Sequence, residues 1–336
     1  MGHVSRVLVI GLGSMGRRRI RNLKALGIET IAGYDTNPTR IDAAVESYSI
    51  RPFLDFEEAL SEFSPDAILI STSPEHHMKY AFRALESRIP CFIEASVVHS
   101  EEIAQLNRDA EKKKVIMAPS CTMKFFQGPK LLKQLIIDEV IGRPISYTYA
   151  TGQWLPDWHP WEDIADFYVS RRETGGCREI VPFELTWLND LFGTPQPISC
   201  HKYHLSELNA DIDDSYYFLL QHPGGLVGSL NIEVISRPTP TRELRVTGES
   251  GIIVMSGDEK CVRYSNIASD GWVTIPFDLG THEGISVNPE EPYIAELNAF
   301  VLAVAEKNSA LFPNTLQNDF ATLSLLNKLD SLALTP

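Results

Sequence analysis

Residues 7–16 read Val-Leu-Val-Ile-Gly-Leu-Gly-Ser-Met-Gly, and Asp35 follows nineteen residues after Gly16. Four apolar residues ahead of a glycine predict a short buried strand. Gly11, Gly13 and Gly16 then have the G-x-G-x-x-G spacing of a strand-to-helix turn. Gly11 permits the tight turn, Gly13 lets a pyrophosphate approach the backbone, and Gly16 lets helix and strand pack closely. The helix that opens with Ser14 and Met15 would aim its free N–H groups and positive dipole end at phosphates. A lone glycine pattern is weak, but here a strand precedes it, a helix over 17–26 follows, and a second strand ends at Asp35. The Asp35 carboxylate can accept hydrogen bonds from both hydroxyls of an adenosine ribose and would repel a 2′-phosphate, which points to NAD. Arg40, five residues on, leaves NADP open. The structural alternative for Asp35 is an Asx turn or helix cap before Asn37-Pro38.

Strand and helix alternate over the first 120 residues, which predicts a right-handed parallel sheet. Strands are expected at 5–10, 29–34, 67–71, 90–94 and 115–118, with helices at 14–26, 38–47, 55–62, 76–86 and 100–112. A cofactor would lie across the carboxyl ends of these strands, at the switch point. That puts Ser71, Thr72 and Ser73, and then Glu94, Ala95 and Ser96, on the cofactor rim. Composition shifts after Pro119. A linking helix is expected at 125–138 and a helix at 176–191. Strands are expected at 144–153, 197–204, 214–221, 225–235, 241–247, 251–256, 260–266 and 271–276. His222-Pro-Gly-Gly225 and Gly248-Glu-Ser-Gly251 read as turns between strands. Two helices near 292–306 and 315–333 close the chain. The fold class is therefore α/β: an N-terminal Rossmann parallel sheet, then an α/β domain with a large, mostly antiparallel open sheet. Its free face can carry a substrate or pair with another subunit.

A net charge of −14 argues against nucleic acid and anionic membranes as partners, since both would repel it. The one basic cluster, Arg17-Arg18-Arg19, falls beside the phosphate turn and is expected to serve the cofactor or plain solvation. No apolar run reaches the 18 or so residues of a membrane span. Five scattered cysteines without C-x-x-C spacing suggest free thiols and a cytoplasmic protein. No zinc pattern, Walker sequence or G-x-S-x-G elbow occurs.

These residues resemble the glucose–fructose oxidoreductase / inositol dehydrogenase (Gfo/Idh/MocA) family over nearly the whole chain. The resemblance rests on Gly11-Leu-Gly-Ser-Met-Gly16, Ser71-Thr-Ser-Pro-Glu-His-His77, Glu94-Ala-Ser96 and Met123-Lys-Phe-Phe-Gln-Gly-Pro129. It continues through Thr174-Gly-Gly176, Trp187-Leu-Asn-Asp-Leu-Phe-Gly193 and Tyr293-Ile-Ala-Glu-Leu-Asn-Ala-Phe300. The stretch 152–163, Gly-Gln-Trp-Leu-Pro-Asp-Trp-His-Pro-Trp-Glu-Asp, resembles members of surface-polysaccharide and amino-sugar pathways. The resemblance implies an NAD(P)-binding Rossmann domain over 1–122 and a substrate-binding and oligomerisation domain over 123–336, with the C-terminal helix packing back near the junction. It implies NAD(P)-dependent oxidoreduction of a sugar, of nucleotide-sugar or amino-sugar type, by a homodimer or homotetramer. It also implies that Glu94 braces the nicotinamide ribose and that His77 packs on the adenosine side.

The departures from the family pattern bear on mechanism. The family's Glu-Lys-Pro lysine is replaced by Ala95. The acidic and histidine positions four residues apart on its helix fall on Glu179 and Phe183, which share a helical face. Phe183 carries no proton. Replacement acid/base groups are His159, inside the Trp-rich stretch, and Glu179, if burial raises its pKa. Trp154, Trp158 and Trp161 suit stacking against a sugar ring. Tyr168 and Arg172 would line the same pocket with Phe183. Glu184 would bind substrate hydroxyls or form a buried salt bridge, and Lys124 would hold an anionic group or be solvated. Two other readings fit the departures: a non-catalytic NAD- or sugar-binding protein, and a non-redox enzyme with tightly held NAD.

Overall fold

The computed structural model describes residues 4–158, 160, 163–281 and 289–334. The chain divides into two compact units. One comprises Met1–Thr122 and Glu290–Phe320; the other comprises Met123–Pro289 and Ala321–Pro336. Residues 290–320, expected in the second domain, instead complete the first unit, for a reason given below.

The first unit opens with β1 (Arg6–Ile10), α1 (Ser14–Ala25), β2 (Thr30–Tyr34), α2 (Pro38–Tyr48), β3 (Arg51–Phe53) and α3 (Phe56–Glu58). It continues with β4 (Ala67–Ile70), α4 (His77–Glu86), β5 (Cys91–Ile93), α5 (Ser100–Lys113) and β6 (Met117–Pro119). The strands form one parallel sheet in the order β3-β2-β1-β4-β5-β6, the doubly wound arrangement whose order reverses between β1 and β4. β4 and residues 7–10 of β1 are apolar on both faces and buried, as strands covered by helices on both sides must be. The reading of the chain lacked β3. Pro52 at its centre argues against a strand, and it is tolerated because β3 is the sheet edge. The helix expected at 55–62 is a single α turn running into a π turn over Ala59–Phe63. Asn37 caps α2 by accepting from Thr39 N, with Pro38 in the first turn.

The second unit begins with α6 (Gln127–Ile137), β7 (Pro144–Gly152) and α7 (Cys177–Phe192), followed by β8 (Gln196–Tyr203), β9 (Ser215–Gln221) and β10 (Val227–Glu233). Then come β11 (Thr241–Gly248), β12 (Gly251–Ser256), β13 (Cys261–Asn266) and β14 (Val273–Pro276). After α8 (Glu291–Ala305), α9 (Leu316–Leu332) leads to β15 (Ala333–Leu334). The sheet runs β14-β13-β12-β11-β7-β10-β9-β8-β15 and is antiparallel except where β10 meets β7 and β15 meets β8. The turns at 222–225 and 248–251 join antiparallel neighbours as expected. His222 is buried, with Nδ1 2.7 Å from Gly193 O and Nε2 2.9 Å from Tyr147 Oη; that ring also fills the space a Cβ at Gly228 would need. Leu219 and Val227 are exposed on the far face of β9 and β10.

All five cysteines are buried, and Cys177 packs against Ile232. Among the described residues no helix is long and apolar enough to cross a membrane, and no cluster of ligating side chains could hold a metal.

α8 explains the membership of 290–320. Gly16, Arg19, Ile20 and Leu23 form the buried i, i+3, i+4, i+7 stripe of α1, and Tyr293, Glu296, Leu297 and Phe300 form that of α8. Each stripe contains one charge, and the charges pair: Arg19 Nη2 lies 2.9 Å from Glu296 Oε2. Arg18 pairs with Glu290 at 3.0 Å. Two members of the basic cluster, expected to serve the cofactor or be solvated, are thus buried in ion pairs within the unit.

Candidate functional site

In the first unit the rim is built at the carboxyl ends of four strands. Gly11 follows β1 with φ +85°, a conformation glycine adopts freely. A Cβ there would strike the backbone of Ser71 and Thr72, so the chains after β1 and β4 run in contact at the switch point. A Cβ at Gly16 would overlap the Gly11 carbonyl, the close turn-to-helix packing expected of the third glycine. A Cβ at Gly13 meets nothing within 4 Å. The middle glycine therefore faces open space, and no side chain caps the first turn of α1. Open ground beside Gly13 and an uncapped helix start are what a diphosphate requires. The residues present fit NAD on this test; Gly13 and the amides of Ser14 and Met15 would hold its diphosphate.

Asp35 is buried at the end of β2. Its Oδ2 accepts from Leu12 N at 2.7 Å and its Oδ1 from Asn37 N at 2.8 Å. The second contact is the Asx turn weighed above. Each oxygen keeps a lone pair for a ribose hydroxyl. Arg40 is exposed. Ser71 extends the ladder, donating its amide to Ile10 O, and its hydroxyl donates to Glu94 Oε1 at 3.3 Å. Thr72 Oγ1 is buried with no partner among the described residues. Ser73 precedes the 3-10 turn Pro74–His76. His77 is buried; its Nε2 lies 2.9 Å from Thr72 O and its Nδ1 has no partner among the described residues. Burial pushes its pKa down, so the ring is neutral.

Glu94 follows β5 and is held in an ion pair. Arg19 grips it with Nε to Oε1 at 2.6 Å and Nη2 to Oε2 at 3.0 Å, so it is first a strand-end ion pair. The sequence singled out Arg19 only within the basic cluster and not as the partner of Glu94. The signal was present, because Arg19 falls on the apolar stripe of α1. Ala95 is half-buried and contributes no proton-bearing group.

In the second unit α7 carries the candidate chemistry. Glu179, Phe183, Thr186 and Asp190 are its partly exposed stripe, while Ile180, Val181, Leu185 and Leu188 are buried. Glu179 accepts from Tyr168 Oη at 2.8 Å through Oε1, and its Oε2 is buried without a partner among the described residues. Burial pushes its pKa up to about 7, against the Tyr168 hydrogen bond, which lowers it. A carboxyl in that range gives or takes a proton at neutral pH.

Several substrate candidates are committed elsewhere. Glu184 is fully buried: Oε2 accepts from Tyr149 Oη at 2.5 Å and Trp187 Nε1 at 2.8 Å, and Oε1 from Arg242 Nη2 at 2.7 Å. It is a salt bridge anchoring α7 to the sheet and is unavailable to a substrate. Lys124 lies 3.3 Å from Asp190, which Lys133 also holds at 2.6 Å. Burial opposes the Asp190 charge, but the two lysines prevail and keep its carboxyl below the usual range. Arg172 pairs with Asp211 and Asp213. Both basic side chains are thus engaged by carboxylates of the same unit. Trp154 has Arg237 stacked 3.9 Å from its ring centre, and Trp158 buries an Nε1 without a partner among the described residues. His159 and Trp161 lie outside the described residues.

Residues 5–120 match the family model described as "Oxidoreductase family, NAD-binding Rossmann fold", and residues 130–254 match "GFO/IDH/MocA C-terminal domain". Inositol 2-dehydrogenase of Salmonella paratyphi B is 25% identical over 143 residues, which is 41% of this chain. The match spans only 43% of that relative's length. An oxidoreductase from Agrobacterium radiobacter, solved in complex with NAD+, L-tartaric acid and magnesium, has the same fold. Its TM-score is 0.85 at 14% identity, covering 97% of this chain and 95% of that one. A levoglucosan dehydrogenase in complex with NADH and levoglucosan gives a TM-score of 0.83 at 16% identity, covering 97% and 96%. Matched in both its Rossmann and its C-terminal parts, the chain belongs to the Gfo/Idh/MocA oxidoreductase family.

Proposed function

We propose that this protein is an NAD-dependent oxidoreductase acting on a secondary hydroxyl of a sugar or polyol, with Glu179 as its proton-transfer group. When bound, NAD supplies the hydride acceptor or donor. What carries the reading is the Glu179 carboxyl, on the helix face shared with Phe183: Oε2 is buried with no partner among the described residues, and burial pushes the pKa up to about 7. In oxidation the ionised Oε2 accepts the hydroxyl proton; in reduction the protonated carboxyl returns it. That function stands in for the proton-bearing groups absent at Ala95 and Phe183. Asp35 selects NAD by accepting the ribose hydroxyls. The ion pairing of Lys124 and Arg172 favours an uncharged sugar or polyol over a nucleotide sugar. The inositol and levoglucosan enzymes among its relatives act on such compounds and support the same class.

The test is a screen of inositols, anhydrosugars, free hexoses and nucleotide sugars for absorbance change at the NADH band. Turnover is expected with an uncharged compound. Turnover confined to nucleotide sugars would overturn the substrate class, and NAD binding without turnover of any compound would favour a binding protein. In calorimetry Asp35→Ala is expected to weaken NAD about 10- to 100-fold, the loss of hydrogen bonds to a charged group, while strengthening NADP binding relative to NAD, because the charge that repels a 2′-phosphate is gone.

The exposed Leu219 and Val227, together with Tyr217 on the same sheet face, fit association with a second copy of the chain. Light scattering is expected to give a dimer or larger, and Leu219→Arg to lower that mass. A monomeric wild-type protein would rule the association out.

A further inference from the structure

We propose that Tyr168 is a positioning residue: by donating to Oε1 of Glu179 it fixes Oε2 as the oxygen that exchanges a proton with the substrate. The inference rests on the reading of Glu179 given above and adds to it which atom reacts and what determines the choice. An ionised carboxylate has no hydrogen to give, so in the 2.8 Å contact the phenol O–H donates and Oε1 accepts. The phenol is much the weaker acid, so the proton remains on Tyr168. When Glu179 takes up a proton, Oε1 is still the acceptor for Tyr168 and the new hydrogen resides on Oε2. Both protonation states therefore present the same atom to the substrate.

The chain around Tyr168 is built to hold this contact. Thr174 Oγ1 donates to Tyr168 O at 2.8 Å, Gly175 N to Arg171 O at 2.7 Å and Gly176 N to Val169 O at 3.1 Å. A Cβ at Gly175 would overlap the Val169 carbonyl, so the two segments meet backbone to backbone just before α7. The Phe167 ring stands edge-on to Tyr168 at 5.9 Å. The neighbouring charges are directed away: Arg178 pairs with Asp330, and Arg172 with Asp211 and Asp213. Among the described residues, Tyr168 is the titratable group bonded to the Glu179 carboxyl.

In the oxidative direction the balance is complete. The substrate O–H bond breaks and its proton goes to Oε2. The C–H bond breaks and its hydrogen leaves with the electron pair to oxidised NAD, and the carbon–oxygen double bond forms. Tyr168 neither gains nor loses a proton.

Tyr168→Phe keeps the ring and removes the donor. Carbon-13 NMR of protein labelled at glutamate carboxyls, with Glu179→Gln assigning the resonance, reads the titration directly. Losing a hydrogen bond to the charged form is expected to move the Glu179 midpoint upward by about one pH unit, and the pH limb of kcat/KM with it. NAD affinity is expected to stay unchanged. A purely structural role would lower stability and leave the midpoint alone, and that result would overturn the proposal. Labelled tyrosine in the wild-type protein gives a reading that needs no substitution. The hydroxyl-bearing ring carbon of Tyr168 is expected to shift with a midpoint near that of Glu179, and a flat response would overturn the contact. If the carboxyl midpoint moves while the kinetic limb does not, Glu179 is not the proton-transfer group, although Tyr168 positions it.

Discussion

Glu179→Gln is expected to lower kcat about 10²- to 10⁴-fold, the usual contribution of a positioned general acid or base, without weakening NAD binding. That loss corresponds to about 3–5 kcal/mol of barrier. Glutamine preserves size and accepts from Tyr168 through its carbonyl, so geometry is largely retained while proton exchange stops. The pH dependence has a definite sign. Oxidation needs the ionised carboxylate, so kcat/KM rises as pH increases through about 7, where burial has put this group, and the variant loses that limb. Stability changes in the opposite sense. The folded-state pKa lies above the ordinary carboxyl value of 4.5, so folding is favoured by the protonated form and loses stability as pH rises between the two. At pH 8 the glutamine variant is expected to unfold at a higher temperature than the wild type. A variant that is both inactive and more stable is the signature of a group held in an unfavourable state for function. Full activity in Glu179→Gln would transfer the proton-transfer role to another residue, with His159 the first to test.

Arg19→Met is expected to destabilise the first unit by about 3–5 kcal/mol, because removing one partner of a buried ion pair leaves the other charge uncompensated. Arg19 is fully buried, and its guanidinium serves Glu94 and Glu296 at once. Burial works against its charge, but the two carboxylates outweigh it and hold the guanidinium more firmly protonated than usual. The ring of Phe92 lies 4.5 Å from its Cζ. Glu296 also accepts from Cys121 N at 2.5 Å, Ser120 Oγ at 2.9 Å and Thr122 Oγ1 at 2.8 Å. Losing Arg19 therefore strains a node that binds α1, α8 and the end of β6. Urea denaturation followed by far-UV circular dichroism measures the effect, and Arg19→Met with Glu296→Gln should recover part of it. A loss below about 1 kcal/mol, the range of exposed pairs, would show that the pair is solvated in solution.

The parallel sheet was legible because its signals are local. The apolar run 7–10, the three glycines and Asp35 each specify geometry within a few residues, and most strands and helices follow from periodicity in the same way. β3 escaped because three residues with a central proline carry no period. The charged partnerships were the least legible. Glu184 and Lys124 read equally well as ligands for a substrate, and their partners Arg242 and Asp190 are 58 and 66 residues away in sequence. Only tertiary pairing decides such cases. Arg19 and Glu296 show the intermediate situation: each lies on an apolar stripe, which marks it as buried, yet nothing in either stripe names the other. The tie between Tyr168 and Glu179 depends on the fold of residues 169–176, where two backbones meet at a glycine.

The amino-terminal nucleotide-binding unit is not a cassette. Its carboxylate Glu296 comes from a segment encoded after the whole of the second sheet, and the chain passes from one unit to the other at residues 122, 289 and 320. A ribosome delivers Arg19 some 277 residues before the group that neutralises it. Until then only Glu94 is at hand for that guanidinium. Recombination that exchanged residues 1–122 alone would bring a foreign helix 1 to a resident helix 8. Such chimaeras would succeed only where donor and recipient agree on the Arg19–Glu296 and Arg18–Glu290 ion pairs.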